Sequence, residues 1–598
     1  MKVSDYLLQR IAKEGVDRIF TVYGAAMGEI ADAMYRQTCV KYCNPMHEQA
    51  AGFMAEGYSK AGKGLGVALV TSGPGAGNLA TCIQNCFYDS VACLFITGQV
   101  NSKFMRPTTK LRQLGFQETD VVGMYNCITK YAVVVLDPKR IRYHLEKAIW
   151  YAKTARPGPV LLDIPIDIQK AEIGDPEKLE SFKAPEIKYE VEPLDGAIDA
   201  YLADLETAKR PVMLIGGGCQ NYKEEFHALA KRLQIPCFAT WNAMDIVTSD
   251  SPFYCGRVGT YGGAGRNFGI QNADLLLAVG SRISGRITGG MPGTFARGAK
   301  RYFVDIDDNL LDAKYQPVKA HVNVHCDAGV FMRRLIERAF PSPQIAWLKQ
   351  CKDWREKYDP VKSEHMEVFH TYGFMRALSE LMPENAIIVN DTGGAVISAA
   401  HAFETKRGQR YFTNNGNTPM GFAFAAAMGA WFAQPNRPVF CLIGDGGFNM
   451  NIQEIQTMLN YGIPLRTFII DNRIYGNTAA YQDANYEGRR IACGPEGYKP
   501  PDFVRIAKAY GVKAYTIDKK WDSANHGYQQ NTLEEWLPRL MATPGPWICD
   551  VLHEGFCTYE PRMTRWDTPV EEMAPFLPRE EFRKNMLIEP YKGWEAIQ

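Results

Sequence analysis

The feature that most constrains this chain is a recurring alternation of short, almost wholly apolar runs with stretches of helical periodicity. VDRIFTV (16–22), VKYCN (40–44), GVALVTS (66–72), ACLFITG (92–98) and PVLLDIP (159–165) form a first group. PVMLIGG (211–217), IPCFAT (235–240), LLLAVGS (275–281) and RYFVDID (301–307) form a second. AIIVND (386–391), PVFCLIGD (438–445), LRTFIIDN (465–472) and WICDVL (547–552) form a third. Strands covered by helices on both faces are apolar throughout, and strand–helix alternation leads to parallel pairing. The pattern predicts an α/β protein of three doubly wound parallel-sheet domains, at 1–175, 190–343 and 368–553. A Pro- and charge-rich linker is expected over 175–193, a polar helical connector over 344–367, and an extended tail over 554–598 lying across this or a partner subunit.

Composition narrows the function. The 598 residues carry 67 Lys+Arg against 66 Asp+Glu, a net charge of +1, which removes the electrostatic case for binding nucleic acid or an anionic membrane. No uncharged apolar run reaches the length of a membrane span. The first residues, MKVSDYLLQRIAKEG, read as an amphipathic helix rather than a signal peptide. Fifteen scattered cysteines, many in apolar runs, fit a reducing, cytoplasmic setting.

The most informative segment is GDGGFN (444–449), at the end of an apolar strand, with Asn472 ending the next strand 27 residues after Asp445. Ligands of open parallel sheets bind outside the carboxyl ends of the strands, so an Asp carboxylate and an Asn carbonyl share one rim. Both are hard oxygen donors suited to Mg²⁺ with phosphate oxygens. Gly444, Gly446 and Gly447 let backbone N–H groups approach a phosphate, helped by a helix expected from about Asn451. In the first domain Glu48, in NPMHEQAAGF, opens a helix after a strand; it reads either as a first-turn glutamate favoured by the helix dipole or as an acid/base group. In the middle domain Gly217, Gly218 and Gly280, with Arg282, Arg286 and either Asp305 or Asp307, describe either a dinucleotide site or a vestigial fold, since no GxGxxG is present.

The GDG…N pair resembles the thiamin diphosphate fingerprint. HEQAA, TSGPGAGN (71–78), FQETD (116–120) and RPGPVLLDIP (156–165), in that order, resemble the acetohydroxyacid (acetolactate) synthase catalytic subunit across roughly residues 1–550. The resemblance implies Asp445, Asn472 and the Ile474 carbonyl as Mg²⁺ ligands, and Glu48 as the carboxylate that activates the cofactor's pyrimidine. It implies Thr71, Pro74 and Asn78 beside that ring, and Phe116 and Gln117 facing substrate. Met420 would prop the cofactor in its bent form, with Ala395, Val396 and Gly476 as further cofactor-binding residues; Lys130 matches a lysine near the pocket, and His47 reads as structural. The middle-domain segment GSRISGRITG implies FAD with no redox part. Each active site would lie between subunits of a homodimer or homotetramer.

The implied reaction decarboxylates pyruvate or a related 2-ketoacid and passes two carbons to a second carbonyl. The acceptor side departs from the family: Tyr481 replaces a tryptophan, polar Asn477 replaces an apolar residue near the reactive centre, and Val396-Ile397 replace a Gln-His pair. Thr240, Trp241 and Asn242 also differ from the usual flavin contacts. These departures leave open a genuine acetolactate synthase, a carboligase acting on a keto sugar nucleotide, and a non-catalytic cofactor-binding subunit.

Overall fold

The computed structural model describes residues 1–106, 110–261, 263–363, 365, 370–518, 533–553 and 560–597. The expected boundaries at 368 and 554, and Cys557, lie outside the described residues. Among those described, three six-stranded sheets form, and every strand pairing in them is parallel.

The first sheet contains β1 (Arg18–Val22), β2 (Lys41–Cys43), β3 (Gly66–Val70), β4 (Cys93–Gln99), β5 (Tyr131–Val134) and β6 (Pro159–Pro165), in the order β2-β1-β3-β4-β6-β5. The second contains β7 (Pro211–Ile215), β8 (Cys237–Ala239), β9 (Tyr254–Arg257), β10 (Leu275–Val279), β11 (Lys300–Asp305) and β12 (Val322–His325), ordered β12-β11-β10-β7-β8-β9. The third contains β13 (Ile387–Asn390), β14 (Arg410–Phe412), β15 (Val439–Gly444), β16 (Arg466–Asp471), β17 (Lys513–Ile517) and β18 (Trp547–Leu552), ordered β14-β13-β15-β16-β18-β17. The first and third sheets thus share one order. In each sheet the winding direction reverses between β1 and β3, β7 and β10, or β13 and β15, and such reversals open the crevices where α/β sheets bind ligands.

The first and third units share a single core. Helix Glu48–Tyr58 lies antiparallel to helix Phe422–Ala433, and glycines let the backbones touch. A Cβ on Gly57 would stand 2.0 Å from the Ala426 carbonyl oxygen, and one on Gly429 would stand 2.0 Å from that of Met54. The sequence FAFAAAMGAWFA of the second helix is apolar on every face, as a helix enclosed on all sides must be. Phe53 meets Phe422 edge-on at 5.5 Å, and Phe20 meets Phe432 at 5.9 Å.

Two expectations are corrected. The connector forms helix Ile345–Lys357, which inserts Trp347, Cys351 and Trp354 into the core of the middle unit. The tail is not an extended surface strap: Val570, Met573, Leu577, Phe582 and Met586 join that same core. Several of its buried polar groups are paired across to that unit, with Glu571 accepting from Gln271 (2.5 Å) and Arg297 (2.6 Å), and Asn585 bridging Trp354 and Tyr358. No described helix is long and apolar enough to cross a membrane.

Alanine normally gains about 0.5–1 kcal/mol over glycine inside a helix. Gly57→Ala and Gly429→Ala should instead lower the first thermal transition by several degrees, because the methyl meets backbone that cannot yield. Gly196→Ala is the control: it lies within helix Val191–Thr207 with nothing inside 4 Å of the added carbon, and should be neutral or stabilising. Differential scanning calorimetry of the three variants checks this.

Candidate active site

At the carboxyl ends of β13, β15 and β16 lies a cavity of about 280 Å³. Ala395, Met420, Gly444, Asp445, Gly446, Gly447, Asn472, Ile474, Gly476 and Asn477 all line it, which brings together nearly every residue expected there. Val396 is the correction: it is buried in helix Gly394–Ala402 but absent from the wall, because its neighbours Ala395 and Ser398 take the facing positions. The helix after β15 begins at Asp445 itself (Asp445–Met450), earlier than expected, so Gly446 and Gly447 lie in its first turn. With Gly394–Ala402 and Gly476–Asn485, three helix N-termini border one cavity, and their free N–H groups and dipoles favour an anion.

The Asp445 carboxyl is buried and accepts from the Tyr498 hydroxyl at 3.1 Å. Burial and the neighbouring Asp471 carboxyl push it up to about 8. Asp550, on β18, is likewise raised to about 8, by burial and then by Asp471. Arg473 reaches Asp471 at 3.4 Å, yet the cluster keeps more potential negative charge than its cations neutralise. A bound divalent cation would relieve that imbalance. Among the described residues no three His, Cys, Asp or Glu side chains converge as a metal group, so the donors present are one carboxylate, the Asn472 amide and the Ile474 carbonyl. Such a sparse oxygen set suits Mg²⁺ completed by phosphate and water.

Met420 is held from both sides by residues the sequence reading missed. Asp391, at the end of β13, is fully buried and accepts from the N–H groups of Thr392 (2.9 Å), Gly421 (3.2 Å) and Ala423 (2.9 Å). The Asn451 amide donates to the Gly421 carbonyl at 2.9 Å. Desolvation raises Asp391 to about 6. His553, just past β18, also lines the cavity, and burial followed by the nearby His370 lowers it to about 4. Only the strand order, which sets β18 beside β16, brings His553 here.

A second cluster sits at the end of β3. Glu48 accepts from the Asn78 amide at 2.8 Å, and a Cβ on Gly75 would meet Thr71 Cγ2 at 2.9 Å and Glu48 Oε1 at 3.5 Å. A Cβ on Gly73 would meet Gln117 Cβ at 3.0 Å, which puts Gln117 over the turn that carries Pro74. Gln117 has φ +62°, a strained conformation for a side-chain-bearing residue. Buried Glu118 stabilises it by accepting from the N–H groups of Arg106 (2.6 Å) and Leu114 (2.7 Å). Phe116 next to it is 86% exposed. His47 caps the helix, its Nδ1 accepting from Gln49 N–H at 3.1 Å. Lys130 is not in the pocket: it donates to the carbonyls of Thr154 and Arg156, both at 2.7 Å, closing a helix end.

Within one chain the two clusters are apart. The helix pair pins Gly57 to Ala426 and Met54 to Gly429, so Glu48 starts one helix at the end remote from Met420. At about 1.5 Å rise per residue the axial offset is roughly 20 Å.

The middle sheet opens a smaller crevice of about 100 Å³ between β7 and β10, lined by Gly217, Gly280, Arg282, Arg286, Trp241 and Asn415 among others. Gly216 needs to be glycine, since a Cβ would lie 2.1 Å from the Gly280 carbonyl oxygen. Arg286 stacks 5.4 Å over Trp241. Two expected contacts are corrected: Gly218 packs against Gly280 instead of lining the crevice, and Asp305 turns back to accept from Asp307 N–H at 3.0 Å. The glycines and exposed arginines fit an anionic dinucleotide.

Comparison with known proteins agrees with this division. The description "Thiamine pyrophosphate enzyme, N-terminal TPP binding domain" matches residues 1–124. The same family's central domain matches residues 198–335, and its C-terminal TPP binding domain matches residues 391–551. The probable acetolactate synthase large subunit of Methanocaldococcus jannaschii is 32% identical over 571 residues, covering 92% of this chain and 92% of that protein. The acetolactate synthase large subunit of Cyanidium caldarium is 30% identical over 565 residues, covering 91% and 92%. Acetolactate synthase 1, chloroplastic, of Nicotiana tabacum is 30% identical over 569 residues, covering 92% and 81%. The middle sheet lies wholly within its matched domain, β1 to β4 lie within the N-terminal match and β14 to β17 within the C-terminal one, and the chain belongs to the thiamine pyrophosphate enzymes.

Proposed function

We propose that the chain is a carboligase of the acetolactate synthase type, taking a 2-ketoacid such as pyruvate as donor and a second carbonyl compound as acceptor. The observation that carries this reading is the cavity in which Asp445, Asn472 and Ile474 stand on adjacent strand ends beside Met420. Thiamin diphosphate, when bound, supplies the electron sink for decarboxylating the donor and joining its remaining carbons to the acceptor. Asp445, Asn472 and the Ile474 carbonyl hold Mg²⁺, and the first-turn N–H groups after Gly393 and Gly444 bind the diphosphate. Met420, fixed through Asp391 and Asn451, presses on the cofactor from one side. Glu48 holds and moves a proton at the pyrimidine nitrogen, with its Oε2 kept in place by Asn78. Gln117 and Asn477 orient substrate by hydrogen bonding.

We read the working unit as at least a homodimer, each site completed by Glu48 of one chain and Asp445 of another. Support comes from the roughly 20 Å offset within a chain and from the apolar residues left exposed around both clusters, such as Phe116, Leu114, Met420 and Met450. The middle crevice is assigned to FAD without a redox part. The domain limits 1–175, 190–343 and 368–553 remain the proposed ones, with helix Ile345–Lys357 and the tail added to the middle unit. The described cysteines are all free, which supports a reducing, cytoplasmic setting.

Purified protein with pyruvate, thiamin diphosphate and Mg²⁺ should release CO₂, with acetolactate identified by mass spectrometry; absence of both overturns the reading. Glu48→Gln should lower turnover at least about 100-fold, within the usual range for losing a proton-transfer group, while cofactor affinity stays within a few-fold. Coexpressing Glu48→Gln and Asp445→Ala chains, each inactive alone, should restore about a quarter of wild-type activity, since half of randomly paired dimers hold one intact site. No recovery on mixing would place both halves in one chain. Preparations saturated with FAD should be yellow with a spectrum unchanged by turnover, and Arg282→Ala/Arg286→Ala should lose the colour.

A further inference from the structure

The segment after helix Gly476–Asn485 folds back over the third-sheet cavity. Its residue Tyr498 is 53 positions from Asp445 in the chain, yet its hydroxyl donates to Asp445 Oδ2 at 3.1 Å. The placement is built, not incidental. Tyr498 is only 7% exposed, and its ring stacks on Tyr475 with centroids 3.9 Å apart and planes 24° from parallel. Tyr475 in turn is fixed through its N–H, which donates to the Cys493 carbonyl at 2.9 Å. The Tyr475 ring also closes against Gly446, where a Cβ would lie 2.5 Å from Cε1.

We propose that Tyr498 is a positioning residue for the metal: its hydroxyl holds one oxygen of Asp445 and turns the other toward Mg²⁺. The inference rests on the assignment of Asp445 as a metal ligand. A carboxylate with one free rotation presents its oxygens to an ion only part of the time. A donor fixed on one oxygen removes that freedom. The stacked Tyr475 keeps the donor at its post, as outer partners of metal ligands commonly do. Nothing in the local sequence around Asp445 encodes this contact; it exists because the returning segment brings a tyrosine to the strand end.

The test is a Mg²⁺ titration at saturating thiamin diphosphate, read by intrinsic fluorescence, on wild type and Tyr498→Phe. The phenylalanine keeps the stacked ring and removes only the hydroxyl. The expected result is an apparent Mg²⁺ affinity weakened about 10- to 100-fold, the usual cost of losing an outer-shell partner. The metal-free melting temperature should hold while the rise on adding Mg²⁺ shrinks, a split that a general structural role would not produce. A Mg²⁺ affinity within twofold of wild type overturns the role of Tyr498. Wild type that shows no Mg²⁺-dependent change overturns the metal assignment itself, and the inference with it.

Discussion

Everything that positions the chemistry hangs on the crossing of two helices, Glu48–Tyr58 and Phe422–Ala433. Glycine is required on each side of the contact, because a methyl at Gly57 or Gly429 would enter the opposite backbone. That close approach fuses the first and third sheets into one hydrophobic body. It also fixes the antiparallel direction that sends Glu48 and Met420 to opposite ends. Packing of this density does not deform gradually, so the separation of the two half-sites is a rigid property of the chain.

Within that body the reactive groups follow one design. Strand ends supply short, stiff positions, glycines supply close approach, and buried side chains some distance away supply aim. Asp391 and Asn451 grip Gly421 from two elements, and Glu118 holds the strained loop at Gln117. The segment from Asn415 to Met420 adds a connection between crevices. Asn415 pairs with Asn242 in the middle unit, and Asp89 of the first unit accepts from the Gly416 N–H at 2.8 Å. Four residues beyond Gly416, Met420 lines the larger cavity.

How far the sequence reveals all this depends on burial. The strands that continuous apolar runs predict are found as strands, and the five it does not predict, β5, β9, β12, β14 and β17, are all at sheet edges. An edge strand has a neighbour on one side only and is often less covered, so its composition carries a weaker signal; β12, VNVH, and β17, KAYTI, are examples. The site divides in the same way. Asp445, Asn472 and Glu48 are legible because glycines and strand ends surround them in the chain. Asp391, Tyr498 and His553 are not, because their roles are set by neighbours far away in sequence. The tail misleads for a related reason: its apolar residues are spaced among prolines and charges, and the second face of the middle sheet gives them a place to pack.

That arrangement of the tail bears on how the chain is made. The outer layer of the middle unit is finished by residues 570–586, and the core of the first unit is finished by the helix at Phe422–Ala433. Neither unit can bury its last apolar face when its own strands leave the ribosome. Synthesis proceeds at about 5–20 residues per second, so both faces wait, uncovered, for much of the time the rest of the chain takes to emerge. The first unit's core therefore closes only after residue 433 has been made, and the middle unit's only after residue 586, so that neither boundary in sequence is a boundary in packing.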